Sequence, residues 1–301
     1  MKSKLYLLLA TSTFCVFIGR AIQHLVWDAP FRTLLWDEGL LRGFVENVLG
    51  YNWFDYVTSP TTDKMINLSI DLFGVLYLLA AISVFFLNKE GILKKIGMKL
   101  QIIGALGLMF LAFLYSKEKF MQLGQFLEYS AQFSAPFLLW YVVTYKEEKF
   151  PILFAKCVIA LTFICHGLYA VGFYPVPGKF VDMTISTLGV TESVAKDLLL
   201  TAGILDFIVA VGIFIPRIQK PMLAYMVLWG TLTSMARLTG HFHIDFLGNT
   251  LLQWLPAVIY RAPHALLPLI ILTQINNAKD TAKMESPNFS QKLLSNIGLA
   301  N

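Results

Sequence analysis

Cysteine is scarce in this sequence, and the three present, Cys15, Cys157 and Cys165, all lie inside apolar stretches. None falls in a C-x-x-C or Cys/His zinc spacing, so neither a disulfide framework nor a zinc site is indicated. Charge is sparse too: 14% of the 301 residues are Asp, Glu, Lys or Arg, against 56% hydrophobic, and the mean hydropathy is +0.63. A water-soluble domain built around one core does not carry that balance, so lipid is expected to be the solvent for much of the chain. Motifs that name a reaction are missing as well. There is no P-loop, dinucleotide fingerprint, G-x-S-x-G or H-E-x-x-H. The net charge of +5 does not point to nucleic acid, because the lysines collect in short loops between apolar runs, where they report topology.

What the chain has in abundance is long apolar segments. Stretches of about 20 residues, the length needed to span a bilayer, fall near 5–26, 66–87, 99–115, 122–144, 151–173, 197–216, 221–239 and 253–275. The expected fold is therefore all-α, a polytopic membrane protein of about eight transmembrane helices. Lys2, Lys4, Lys89, Lys94, Lys95, Lys146, Lys149, Arg217, Lys220, Lys279, Lys283 and Lys292 fall on one side of such a threading. That places both termini in the cytoplasm of a bacterial-type inner membrane. A short positive start followed by an apolar run also fits a signal peptide. A retained first helix is the better expectation, because the apolar run continues to about Val26 and has a counterpart later in the chain. Residues 27–64 carry Phe31, Leu34, Leu35, Leu40, Leu41, Phe44 and Val45 at roughly helical spacing among acids, as an outer amphipathic helix would. Gly178 to Ala195 is a shorter analogue, and 277–301 reads as a polar cytoplasmic tail.

The chain also echoes itself. An apolar helix, Pro30-Phe31-Arg32, an amphipathic segment and a helix centred on Gly74 recur as an apolar helix, Pro177-Gly178-Lys179, an amphipathic segment and a helix centred on Gly203. Tyr129-Ser130-Ala131 is matched by Tyr260-Arg261-Ala262. Two parallel four-helix repeats are expected, 1–149 and 150–276, with a site between them. His166-Gly167, Pro177-Gly178-Lys179 and Leu198 to Arg217, closing on Gly212-Ile213-Phe214-Ile215-Pro216-Arg217, resemble the first two helices of the DoxX-like family of four-helix membrane proteins. The resemblance covers roughly 152–239; the first half departs from it, since Ala81 to Lys89 lacks the closing Gly and Arg. It implies a tandem of DoxX-like units and, from some members of that family, a link to quinone reduction.

Ionisable residues inside a span cost roughly 2.5–3.5 kcal/mol each at a helix centre, so those present need a reason. Arg20, His24, Asp71, Glu128, His166, Arg237, His241, Arg261 and His264 map to the outer half of this threading and Asp206 to near the midplane. Arg20/His24 and Arg237/His241 share an i, i+4 spacing and Arg261/His264 an i, i+3 spacing, which puts guanidinium and imidazole on one helix face. Converging on one cavity, they would receive an anionic or carbonyl-bearing ligand, with the carboxylates of Asp71, Glu128 and Asp206 as counter-charges. The alternative is that they snorkel or lock helices together. His166 and His264 sit at comparable depth, a pattern a b-type haem also uses. A proton-coupled transporter, and an assembly partner of a redox or periplasmic protein, are the other classes the pattern admits. No span shows the Gly/Pro break expected of a discontinuous transporter helix.

Overall fold

A computed structural model gives the structure over residues 3–145 and 150–285, with side chains described to Asn277. Helix makes up 82% of it and no strand occurs among the described residues. The helices are α1 (Lys4–Val26), α2 (Arg32–Leu35), α3 (Glu38–Asn47), α4 (Trp53–Thr58), α5 (Pro60–Ser83), α6 (Ile92–Glu118), α7 (Leu123–Glu128), α8 (Ser130–Tyr145), α9 (Ile152–Ala170), α10 (Gly178–Leu188), α11 (Glu192–Gly212), α12 (Gln219–Thr239), α13 (Leu247–Ile259) and α14 (Pro263–Glu285). Five stretches among them are long and apolar enough to cross a membrane: Lys4–Val26, Pro60–Phe86, Ile92–Glu118, Ile152–Ala170 and Ile244–Asn277. Helices also stand where the other three expected spans lie, but α8 has only 16 residues, α11 carries Glu192, Lys196, Asp197 and Asp206, and α12 is diluted by polar residues.

Local chemistry sets the helix starts. Ser3 accepts from the Tyr6 N–H at the start of α1, and Asp37 from the Leu40 N–H at the start of α3. Asn52 does the same for α4, and Ser59 caps α5 with Pro60 in its first turn. Two helices that the sequence reads as continuous are interrupted. α7 stops at Glu128 and α8 resumes at Ser130, while α13 stops at Ile259 and α14 resumes at Pro263. At the first break the Ala131 N–H donates to Thr162 Oγ1 of α9 at 3.2 Å, and the Ser130 hydroxyl lies 2.9 Å from the same oxygen. A neighbouring side chain thus satisfies a backbone group that the break leaves free, the condition for a broken helix in lipid. α14 runs on to Glu285, into the segment expected as an unpatterned tail, because Ala278 to Glu285 is made largely of good helix formers. The rest of that tail, like the expected topology lysines Lys2, Lys146, Lys149 and Lys292, lies outside the described residues.

Packing is organised around α1 and α9. α1 lies against α5, α8, α13 and α14, and α9 against α7, α8, α11 and α14. The main core joins Leu9 of α1, Leu139 of α8, Ile159 of α9, Ile213 after α11, Met226 of α12 and Ile270 of α14. It fills the end of the bundle that carries the start of α1. At the opposite end Phe31 is buried against Ile66, Ile70, Leu111 and Leu114, which docks the 27–59 segment on α5 and α6. Arg32 pairs there with Asp28 at 3.1 Å and Asp63 at 2.7 Å, and Lys117 pairs with Asp37. Leu40, Phe44, Val48 and Phe54 remain exposed on that segment.

Close helix approach depends on glycine at two crossings. A Cβ on Gly19 would stand 2.9 Å from both Pro256 O and Tyr260 N, and one on Gly230 would stand 2.5 Å from His264 O. Both contacts are with backbone that cannot swing aside. Gly19→Ala is therefore expected to destabilise by about 1–3 kcal/mol, the usual range for overpacking. Gly248→Ala, at a position with nothing within 4 Å of its Cβ, should leave stability nearly unchanged; thermal melts of the two variants in detergent make the comparison. The Lys117 side chain, with the Leu40 N–H, holds the Asp37 carboxyl below the usual carboxylate range. The contribution of this pair is complete above the unfolded Asp pKa of about 3.9 and is lost as pH falls through the lower folded value. Carboxyl carbon-13 titration should find Asp37 low, and rising toward the ordinary value in Lys117→Met.

Candidate ligand cavity

Between α9, α10, α11 and α12, and reaching the α13–α14 break, lies a cavity of about 390 Å³. Its walls are mostly apolar: Phe163 and Ala170 from α9, Phe180 and Met183 from α10, Leu198, Leu199 and Ala202 from α11, Trp229 from α12. Against that background four basic side chains meet, His166 of α9, Arg237 of α12, Arg261 from the break and His264 of α14, with Asp206 of α11 as the acidic member. Asp206 is 4% exposed and His264 3%. Asp206 Oδ1, Arg237 Nε, Arg261 Nε and His264 Nε2 are all buried with no hydrogen-bond partner among the described residues. Buried polar atoms normally find partners, and four of the ten such orphans among the described residues belong to side chains that line this cavity.

The three Arg/His spacings have a shared local explanation. His24 Nδ1 lies 2.8 Å from Arg20 O, His241 Nδ1 3.0 Å from Arg237 O, and His264 Nδ1 3.0 Å from Arg261 O. A carbonyl only accepts, so Nδ1 carries the proton and Nε2 is left as the free position. Each imidazole is thereby anchored to the backbone of its arginine rather than to the guanidinium. For His264 the free Nε2 belongs to a side chain that lines the cavity. The Arg261 guanidinium is held by Ala257 O at 3.2 Å and stands over the Tyr260 ring at 4.9 Å, while Arg237 faces the Phe180 ring at 5.5 Å. Behind His166, Glu128 Oε1 lies 3.5 Å from its Nε2.

Arg20 belongs to a separate, neighbouring cluster. It is fully buried; its guanidinium donates to Gln23 Oε1 at 2.6 Å and Gln132 Oε1 at 2.7 Å and rests on the Tyr260 ring at 3.7 Å. Tyr115 and Tyr129, stacked at 5.2 Å with their planes 4° apart, complete the surround, and Gln23 also donates to the Tyr115 hydroxyl at 2.6 Å. Tyr260 thus lies between Arg20 and the cavity residue Arg261.

Of the ten residues expected to converge, His166, Asp206, Arg237, Arg261 and His264 line one cavity, and Glu128 abuts it through His166. The other four stand apart. Arg20 occupies its aromatic cage, and His24 is buried edge-on to Tyr77 at 5.1 Å. Asp71 is exposed on α5, and His241 is stacked on Trp254 at 3.6 Å. The cause is helix phase: Asp71 lies on the outer side of α5, and His241 is carried past the end of α12. His166 and His264 are edge to face at 5.4 Å, in direct contact, so as placed they leave no room for a haem between them. Among the described residues no three His, Cys, Asp or Glu side chains group as a metal would need.

No family model, curated protein or solved structure matches the chain. The site therefore rests on its own geometry. Trp229 takes part in it, and Tyr115, Gln23 and Gln132 in the neighbouring cluster, without having stood out in the sequence; only the echo of Tyr129 by Tyr260 hinted at the aromatic surround of Arg20.

Lysine cannot span Gln23 and Gln132 with a planar fork while lying flat on Tyr260. Arg20→Lys is expected to lose at least one charge-assisted bond, about 1.5–3 kcal/mol. The measurement is the melting temperature in detergent beside Lys4→Ala, which should not move.

Proposed function

We propose that this is an integral membrane protein whose cavity binds a lipid-soluble small molecule with an oxygen-bearing head, a quinone or a similar carbonyl or anionic compound. One observation carries the reading: donors at Arg237 and Arg261 and acceptors at Asp206 and His264 Nε2 are buried and unpartnered, on side chains that line one otherwise apolar cavity. A head with oxygens would take the arginine donors, an apolar body would fill the space between Phe180, Leu199 and Trp229, and a hydroxyl or N–H would complete Asp206 or His264 Nε2. His166, backed by Glu128, stands ready to hold a proton beside the bound head. A redox subunit, the role that the DoxX-like resemblance implies, is one setting for such a site.

The wider proposal is two parallel four-helix units, α1–α8 and α9–α14, in a bacterial-type inner membrane with both termini cytoplasmic. The contact pattern supports it. A Cβ on Gly74 of α5 would meet Leu25 of α1, and one on Gly203 of α11 would meet Val171, which caps the end of α9. Counting back five residues from Leu25 and Val171 pairs Arg20 with His166, and forward three from the glycines pairs Tyr77 with Asp206. By the same count Phe73 matches Ala202. In the first unit Phe73, Phe31, Phe110 and Tyr77 fill the corresponding space as an aromatic plug. In the second unit small Ala202 leaves a cavity there.

Transport is favoured by one feature, the two interrupted helices. It needs a polar route to the end that carries the start of α1, and that end is filled by Leu9, Leu139, Ile159, Met226 and Ile270. Binding is accordingly the stated function, and docking of a redox or periplasmic partner on the 27–64 segment is secondary to it.

Purified protein should quench its tryptophan fluorescence on titration with a decyl-substituted benzoquinone and carry a lipid-soluble oxygenated compound in its organic extract. Arg261→Met and Arg237→Met should each weaken binding roughly 10- to 100-fold, the worth of a charge-assisted bond. Full-strength binding by both folded variants would overturn the assignment.

A further inference from the structure

The cavity has an end and a side, and the two are built differently. α10 closes the end. The Thr187 and Thr239 hydroxyls lie 3.2 Å apart, fastening the last turn of α10 to the end of α12, and Gly240 admits Met183, whose Cα would stand 3.0 Å from a Cβ there. Phe180 and Met183 face inward beneath this cover. The side lies between α11 and α12. These helices press together beside their connecting turn, where a Cβ on Gly212 would stand 2.7 Å from Met222 Cγ. Farther along, residues of both helices line the cavity.

Among the wall residues that these two helices contribute, Leu198 of α11 and Leu232 of α12 are the exposed ones. Each lines the cavity, and Leu198 is 42% and Leu232 50% exposed. Leu200, Ile204 and Ile208 are exposed farther along α11 and Leu228 and Met235 along α12, while Lys196 and Asp197 are exposed just before Leu198. Of the cavity's charged and basic groups, Arg261, His264 and His166 come from the elements opposite, and Asp206 and Arg237 from α11 and α12 themselves. An occupant coming through the side would pass Leu198 and Leu232 and then reach both sets.

We propose that the gap between α11 and α12, lipped by Leu198 and Leu232, is a lateral portal through which a bilayer-resident amphiphile enters head first, leaving its chain among the lipid tails. This rests on the ligand reading above and narrows it. The occupant is a membrane lipid or lipid-like molecule with a linear apolar chain longer than the cavity, and a compact water-soluble metabolite is excluded as the physiological ligand. The geometry also orders the contacts, since the oxygenated head must pass the leucine lips before reaching the buried arginine donors, and the chain follows it.

The test uses the full chain in bilayers of phospholipid brominated near the chain ends, with exposed Cys157 replaced by Ser. Bromine quenches nearby indole, and the contribution of Trp229, which lines the cavity, is isolated by difference from Trp229→Phe. Leu198→Cys with Leu232→Cys, bridged by a short linker with a cleavable disulfide, closes the proposed portal. Closing it should remove most of the bromolipid quenching of Trp229, and cleaving the linker should restore it, while each single cysteine variant behaves as the parent. The same bridge should slow loading of the decyl benzoquinone at least tenfold, and bridging Thr187→Cys to Thr239→Cys across the end should not. Trp229 quenching that is indifferent to the side bridge, in protein that elutes as the parent does, overturns the portal whatever the quinone probe does. Portal-dependent quenching in an unbridged protein that fails to bind the quinone probe keeps the portal and overturns the head chemistry proposed above.

Discussion

The arrangement turns on a guanidinium buried without a carboxylate against it. Arg20 is 0% exposed, and what stands in for its solvent is the carbonyl oxygens of two glutamine side chains and the face of Tyr260, with Tyr115 and Tyr129 beyond. Taking a charge from water costs several kcal/mol even after relaxation. The surround offsets that cost only if every member stays in place, and the members come from α1, α6, the first helix break, α8 and the second break. Holding Arg20 therefore fixes how α1 meets both broken helices, and Gly19 beside it permits α1 to touch the Pro256–Tyr260 backbone. Arg261, next to Tyr260, inherits its position from the same arrangement and carries it into the cavity.

The cavity and the cage solve the problem of intramembrane charge in opposite ways. In the cage the donors are largely satisfied within the protein, and the cluster serves to join helices. In the cavity Arg237, Arg261, His264 and Asp206 each keep an atom unsatisfied, and the frames of two of them are anchored, the histidine by the Arg261 carbonyl and Arg261 by Ala257 O. A fixed frame with a free functional atom is what a binding site needs, because the cost of ordering the side chain has been met before the ligand arrives.

Helix positions were legible from apolar run length, since lipid leaves the backbone few alternatives. The concentration of ionisable residues toward one end was legible too. Which of them meet was not: helices in lipid are apolar on both their packed and exposed faces, so Asp71, on the outside of α5, reads the same as Asp206, buried in α11. The breaks at Tyr129 and Tyr260–Ala262 escaped for a different reason. The first is stabilised from α9, by Thr162, and no local Gly or Pro at Tyr129 announces it. The aromatic cage was hidden because tyrosine in a membrane sequence first suggests the interface.

The bond from Ala131 to Thr162 also bears on how the chain is made. The first turn of α8 has a backbone donor whose partner is encoded 31 residues downstream, on the helix that opens the second half of the chain. As the ribosome delivers the polypeptide, the amino-terminal half reaches the bilayer with that donor still lacking its native acceptor, and with Ser130 awaiting the carbonyl of Val158. The first turn of α8 therefore gains its native partners only once α9 has arrived.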